Sequence, residues 1–193
     1  MDTSNTSTPE DEDHRRRPLR ACNATVEDAV LLNRQRAVRG DWSTLRRFLE
    51  ELRALVAGEP FSVCLVSDAA MRRYNSRFRG VDKATDVLSF PAGGHGPGAK
   101  GFLGDRYLGD IVISVETARA NARAYRVALE DELKLLSLHG VLHLMGYDHE
   151  TDSGEMGRAE RMWCRRLGLP ASLTARARPK TAAQGGRKTS CAS

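Results

Sequence analysis

A chain of 193 residues, 40% hydrophobic and 28% charged, can bury one substantial core and still carry flexible ends. Its net charge of +5 is unevenly placed: the stretch from Ala171 onward holds Arg176, Arg178, Lys180, Arg187 and Lys188 and no acid, so the rest is near neutral. No run approaches the ~20 apolar residues of a membrane span. Cys22, Cys64, Cys164 and Cys191 are too scattered for a disulfide framework, which points to reduced thiols and a cytoplasmic protein.

Residues 1–18 are polar and acidic through Asp13, then basic at Arg15, Arg16 and Arg17. With no apolar h-region they are expected to form a disordered tail rather than a secretory signal. The folded domain is expected over 19–170 and a basic disordered tail over 171–193, where it would add salt-dependent affinity for phosphates.

A first strand is placed around Thr25 to Leu32. Asp41 or Ser43 can cap a helix whose apolar residues Trp42, Leu45, Phe48, Leu49, Leu52, Leu55 and Val56 recur at helical spacing, with Gly58 after it. Phe61 to Ser67 reads as a buried strand, and Ser67 or Asp68 as the cap of a helix through Met71, Tyr74 and Phe78. A short strand follows between Thr85 and Pro91, ended by the proline. The glycine-rich stretch from Ala92 to Gly104, with His95, is expected to be a flexible connection.

Leu108 to Ser114 reads as a strand, and Ser114 or Thr117 starts a helix to about Tyr125. From Ala128 to Met145 leucines and valine cover most of the helix circumference, the mark of a central, buried helix. A last amphipathic helix is expected from Asp152 to Leu167, closed by Gly168 and Pro170. Strands mixed with helices imply an α/β-type layered domain with one small sheet.

The end of the central helix carries His139, His143 and His149. His139 and His143 are an i, i+4 pair on one helical face. Gly146 stands where an abrupt helix end favours positive φ, letting the chain double back with His149. Three imidazoles suit one ion of the Zn²⁺ type and leave a fourth position open. The spacing matches the metzincin peptidase pattern in its histidines and glycine but not in its base, since Gly140 stands where the catalytic glutamate belongs. A peptidase would need Asp148, Glu150 or another carboxylate instead. Phosphodiester cleavage, which chiefly needs a Lewis acid and an arginine for phosphate, fits better, with Arg77 and Arg79 among the arginines available.

The stretch His139-Gly-Val-Leu-His143-Leu-Met-Gly146-Tyr147-Asp148-His149 resembles the H-G-x-L-H-L-x-G-Y-D-H signature of the YbeY family of endoribonucleases. Ser67-Asp68-x-x-Met71, Asn75-x-x-Phe78-Arg79-Gly80, Thr85-Asp86-Val87-Leu88-Ser89-Phe90-Pro91 and Leu108-Gly109-Asp110-Ile111 occur in that family's order, over roughly residues 20–168. Tyr74 departs from the leucine often found there.

The resemblance implies a single α+β domain, with a small mixed sheet packed against helices and the metal site at the end of a central helix. It implies one Zn²⁺ on His139, His143 and His149, and single-strand-specific RNA cleavage in ribosomal RNA maturation and ribosome quality control. His139 and Arg79 are then the candidate catalytic residues, with Arg79 on phosphate. Asp148 is the candidate to orient a ligand histidine, and Thr85 and Asp86 to organise the turn and strand beside the site. The implied partners are precursor rRNA and the small ribosomal subunit. Two alternatives remain: a ribosome-associated zinc-binding factor with little or no catalysis, and a metzincin-like peptidase.

Overall fold

The computed structural model describes residues 30–56, 58–92, 107–149, 151–170 and 173–176. The expected tail over 1–18, the stretch from Thr25 to Ala29, the glycine-rich segment Ala92 to Gly104 with His95 (except for Ala92 itself), Glu150 and all of 177–193 lie outside them.

The strands β1 (Val30–Asn33), β2 (Phe61–Val66), β3 (Val87–Pro91) and β4 (Gly109–Ser114) form one sheet in the order β1-β2-β4-β3. The first three in that order run parallel, and β3 is antiparallel on the edge. β2 is buried at all six positions, as a central strand covered on both faces must be. Pro91, which lacks an N–H, is tolerated at the last position of edge strand β3.

Helices cover both faces. Helix α1 (Ser43–Leu55) buries Leu45, Phe48, Leu49 and Leu52, the stripe expected from its periodicity. Asp41 accepts bonds at 2.9 Å from the backbone and hydroxyl of Ser43, marking its start. Helix α2 (Asp68–Arg79) is capped by Ser67, helix α3 (Val115–Tyr125) by Ser114. Helix α4 (Leu129–Leu144) touches α1, α3, β3 and β4, and most of its residues are buried.

Alternation along the strands assigns the two faces. Val63, Leu65, Ile111 and Ile113 point into the larger core with α1 and α4. Cys64, Val66, Leu88 and Val112 point into a smaller core with Met71 of α2. The domain is thus α+β with a mixed sheet between helical layers, as the resemblance implies.

Two elements differ from expectation at the C-terminal side. The last amphipathic helix, α5 (Glu155–Arg166), starts later than Asp152. The reason is that Asp152 stays outside as an acceptor for the N–H groups of Gly154 (2.7 Å) and Met156 (2.6 Å), and these bonds hold its carboxyl below the ordinary value. Beyond Pro170 the chain forms one more turn of helix, α6 (Leu173–Arg176), inside the stretch expected to be a disordered tail. Leu173 packs on the main core, which explains the order there.

A candidate metal centre at the end of the central helix

Helix α4 lies directly on the sheet because Gly140 has no side chain. A Cβ at that position would stand 2.7 Å from Cγ2 of Ile111, and the Ser89 hydroxyl donates to the Gly140 carbonyl at 3.2 Å. The position where the peptidase pattern carries glutamate therefore faces β4, with no space for any side chain. One turn later, a Cβ on Gly109 would stand 3.0 Å from Leu144 Cδ2, so α4 runs toward the end of the sheet where Gly109 pairs with Pro91. Gly109 itself holds φ +140° with Phe90 O hard against it, a conformation and a gap that only glycine fits.

The helix stops at Leu144. Gly146 at φ +90° turns the chain, with its N–H bonded to the His143 carbonyl at 3.0 Å and that of Tyr147 to Leu142. His149 is thereby carried back to the helix end. Ligand atoms of His139, His143 and His149 all lie within 4.8 Å of one another, and the ring of His149 is 5.3 Å from each of the other two. Burial falls along the set: His139 is buried, His143 half-buried and His149 exposed, so the cluster opens to solvent on the His149 side.

The ring of His139 is held by a residue the sequence reading did not single out. Nδ1 of His139 donates at 2.8 Å to Oε1 of Glu160 on α5, whose carboxylate is fully buried. Burial alone would raise the Glu160 carboxyl, but bonds from His139 and from the side chain and backbone of Thr174 outweigh it and hold it below the ordinary value. A usable signal was present: Glu160 falls on the same helical face as buried Met156 and Cys164, four residues to either side. An acid within an apolar stripe needs a partner.

With Nδ1 donating, a neutral His139 presents a bare Nε2, and that atom faces Nε2 of His143 at 3.2 Å. The backbone of Tyr147 bonds the His143 ring as well. Burial, then the neighbouring His139 and His149, lower the His143 pKa to about 4, against opposing effects of Asp148 and Tyr147. His143 is thus neutral at physiological pH with its lone pair available. Nitrogens bound about 2.0–2.1 Å from one tetrahedral ion lie about 3.3 Å apart, so the 3.2 Å pair fits a shared zinc-type ion. A fourth ligand of such an ion would approach from the exposed side of the set.

The other expected residues divide by location. Asp148 accepts from the Thr151 hydroxyl at 3.0 Å, while its backbone carbonyl accepts from Thr151 and Asp152. It bears on His143 through its charge, while Glu160 bonds the ring of His139. Thr85 and Asp86 sit at the start of β3. There Asp86 accepts from Val87 N–H, Thr85 and Asn121, and its carbonyl accepts from Ser114 N–H. Because β3 runs antiparallel to β4, this is the end of β3 away from Leu144 and the histidines rather than beside them.

Arg79 is exposed in the last turn of α2. Its neighbour Phe78 meets Phe90 of β3 edge to face, centroids 4.9 Å apart. Phe90 pairs with Asp110, one step from Gly109. The C-terminal ends of α2 and α4 therefore reach the same end of edge strand β3 from the two faces of the sheet, Arg79 on one and the histidines on the other.

An α+β domain whose central helix ends in three convergent imidazoles, one of them carboxylate-held, is of the kind that can hold one catalytic metal ion. Residues 33–168 match the family described as "Endoribonuclease YbeY", and the chain belongs to that family. It is 47% identical to "Endoribonuclease YbeY" of Solibacter usitatus over 133 residues, 68% of this chain and 83% of the relative. It is also 44% identical to the protein of the same name from Nautilia profundicola, covering 66% of this chain and 86% of that one. The solution structure of TM1509 from Thermotoga maritima aligns at 28% identity over 72% of this chain and 89% of that one, with a TM-score of 0.48.

Proposed function

We propose that this chain is a metal-dependent endoribonuclease that cuts single-stranded RNA, with one Zn²⁺ held by His139, His143 and His149. The observation that carries the reading is the convergence of three imidazoles within 4.8 Å, with one of them tied to a buried glutamate and another neutral. When bound, the ion supplies a Lewis acid and a positive charge beside a phosphodiester.

The chain's own residues do the rest. Glu160 fixes the His139 ring so that Nε2 faces the centre. Arg79 binds the scissile phosphate through its guanidinium fork and offsets the negative charge that builds on it. Arg73 and Arg77 are exposed on the same helix, and Arg77 stacks over Phe78 with 5.5 Å to the ring centroid, while Arg72 is paired with Asp82. A cationic face with an aromatic ring suits a single strand, whose phosphates and unpaired bases are both accessible. Asp148 tunes His143 through its charge, and Thr85 and Asp86 keep the start of β3 in place.

The peptidase alternative is disfavoured, because the helix position that would carry its base is closed off by Ile111. In the cell we place the activity in the cytoplasm, acting on the 3′ end of small-subunit rRNA precursors and on defective ribosomes. The functional domain would run from 19 through the end of α6 at Arg176, flanked by the tails 1–18 and 177–193. No helix among the described residues is long and apolar enough to cross a membrane.

The test is incubation of small-subunit particles bearing immature 3′ ends with zinc-loaded protein, beside duplex RNA of matched sequence. Processing of the single-stranded extension with the duplex left intact is expected. Stable binding to the particles without any cleavage would favour a zinc-carrying assembly factor instead.

A further inference from the structure

Glu160 is gripped from both sides. Oε1 takes the His139 ring, while Oε2 accepts two bonds from one residue, the Thr174 N–H at 2.9 Å and its hydroxyl at 2.6 Å. Each carboxylate oxygen therefore has its own partner, and the plane of the carboxylate is set by Thr174 as much as by the histidine.

The seat for Thr174 is built into α5. Gly157 is buried there, one turn before Glu160, and a Cβ on it would stand 3.4 Å from the Thr174 hydroxyl. Leu173 packs on the main core beside it, and α6 touches both α4 and α5. Yet Thr174 lies beyond residue 168, where the match to the family ends.

We infer that α6 is a latch for the metal centre: Thr174 is a positioning residue that holds Glu160, and through it the His139 ring, so that the segment after Pro170 sets how tightly the ion is bound. The inference rests on the metal reading above and deepens it. Residues bonded directly to a metal ligand, as Glu160 is to His139, commonly change metal affinity by about 10- to 100-fold, and a latch one bond further out acts through the same ring with a smaller effect. Thr174 touches neither ion nor RNA in this scheme. Its effect is on affinity, through the orientation of His139.

The test is zinc affinity of the full-length protein by competition with a chromophoric chelator, with thermal unfolding of the metal-free forms measured in parallel. Glu160→Gln is expected to bind zinc about 10- to 100-fold more weakly, and Thr174→Val about 3- to 10-fold more weakly. Thr174→Ser, which keeps the hydroxyl and the N–H, should stay within about twofold of the unaltered chain. Gly157→Val crowds the same seat from α5 and should reproduce the weakening without touching Thr174 chemically.

Unaltered zinc affinity in both Thr174→Val and Gly157→Val, even with a lower unfolding temperature of the metal-free protein, would overturn the latch and leave α6 a structural cover. Failure of the unaltered chain to bind one equivalent of zinc would overturn the latch together with the metal centre. Absence of RNA cleavage by a zinc-binding chain would remove the ribonuclease reading alone.

Discussion

Single substitutions can separate ion binding from phosphate handling. Arg79 is exposed at the end of α2, so Arg79→Ala should leave the fold and the zinc content unchanged. Cleavage should fall about 100- to 1,000-fold, the scale of losing one donor that faces developing charge. Arg79→Lys should recover only part of this, because an ammonium cannot reproduce the bidentate fork. Metal analysis and initial rates on the same preparations check both halves, and loss of zinc in Arg79→Ala would contradict the assignment. At this scale the convergence of the three histidines was legible from spacing alone, since a helical i, i+4 pair and a glycine turn are local matters. For Glu160 the sequence showed only that an acid lies within an apolar stripe, and for Thr174 nothing, because the partners of both depend on α5 and α6 folding back over α4. A threonine in a basic tail looks solvated until the packing is known.

Among the elements, α4 and its contact with β4 carry the site. Gly140 is where two preferences oppose each other. Alanine gains about 1 kcal/mol over glycine in a helix interior. Its methyl would press on Ile111, which is fully buried and cannot retreat, and such overpacking costs about 1–3 kcal/mol. Gly140→Ala is therefore expected to lose about 1 kcal/mol net in denaturant unfolding. Combined with Ile111→Ala, it should cost less than the sum of the two single changes, by about 1 kcal/mol. Strict additivity would show that helix and sheet do not meet as described. The sequence marked this glycine only as a missing base. Close approach of a helix to a strand is a tertiary fact, invisible in the spacing of the motif. The same limit explains Thr85 and Asp86, whose nearness in sequence to the strand of the site said nothing about which end of β3 they would occupy. The helical periods of α1, α2 and α4, by contrast, were readable because each buries one stripe or its whole circumference.

For the molecule as a whole, the core does not depend on the ion. Leu49, Val63, Leu65, Leu133 and Leu136 are fully buried in an apolar core, unlike the interior of a zinc finger, whose fold is the metal's doing. Chelation should thus leave the far-ultraviolet circular dichroism intact while lowering the unfolding temperature. The loss is about 4 kcal/mol when zinc had been present at a thousandfold over its dissociation constant. Collapse of the dichroism on chelation would contradict this. Charge sets a second property at this scale: the arginines of α2 and the five cations after Ala171 should make RNA affinity fall steeply between 50 and 200 mM salt. Filter binding at graded salt checks it, and a flat response would exclude phosphate contact as the main source of affinity.

The most direct test of the central claim is cleavage of end-labelled single-stranded RNA by protein of measured zinc content, run beside a chelated sample and His143→Ala purified identically. The account predicts cleavage by the zinc-loaded chain, its loss in both controls, and its return when zinc is restored to the chelated sample only. Equal cleavage in all samples, or none from protein carrying one zinc, would contradict it.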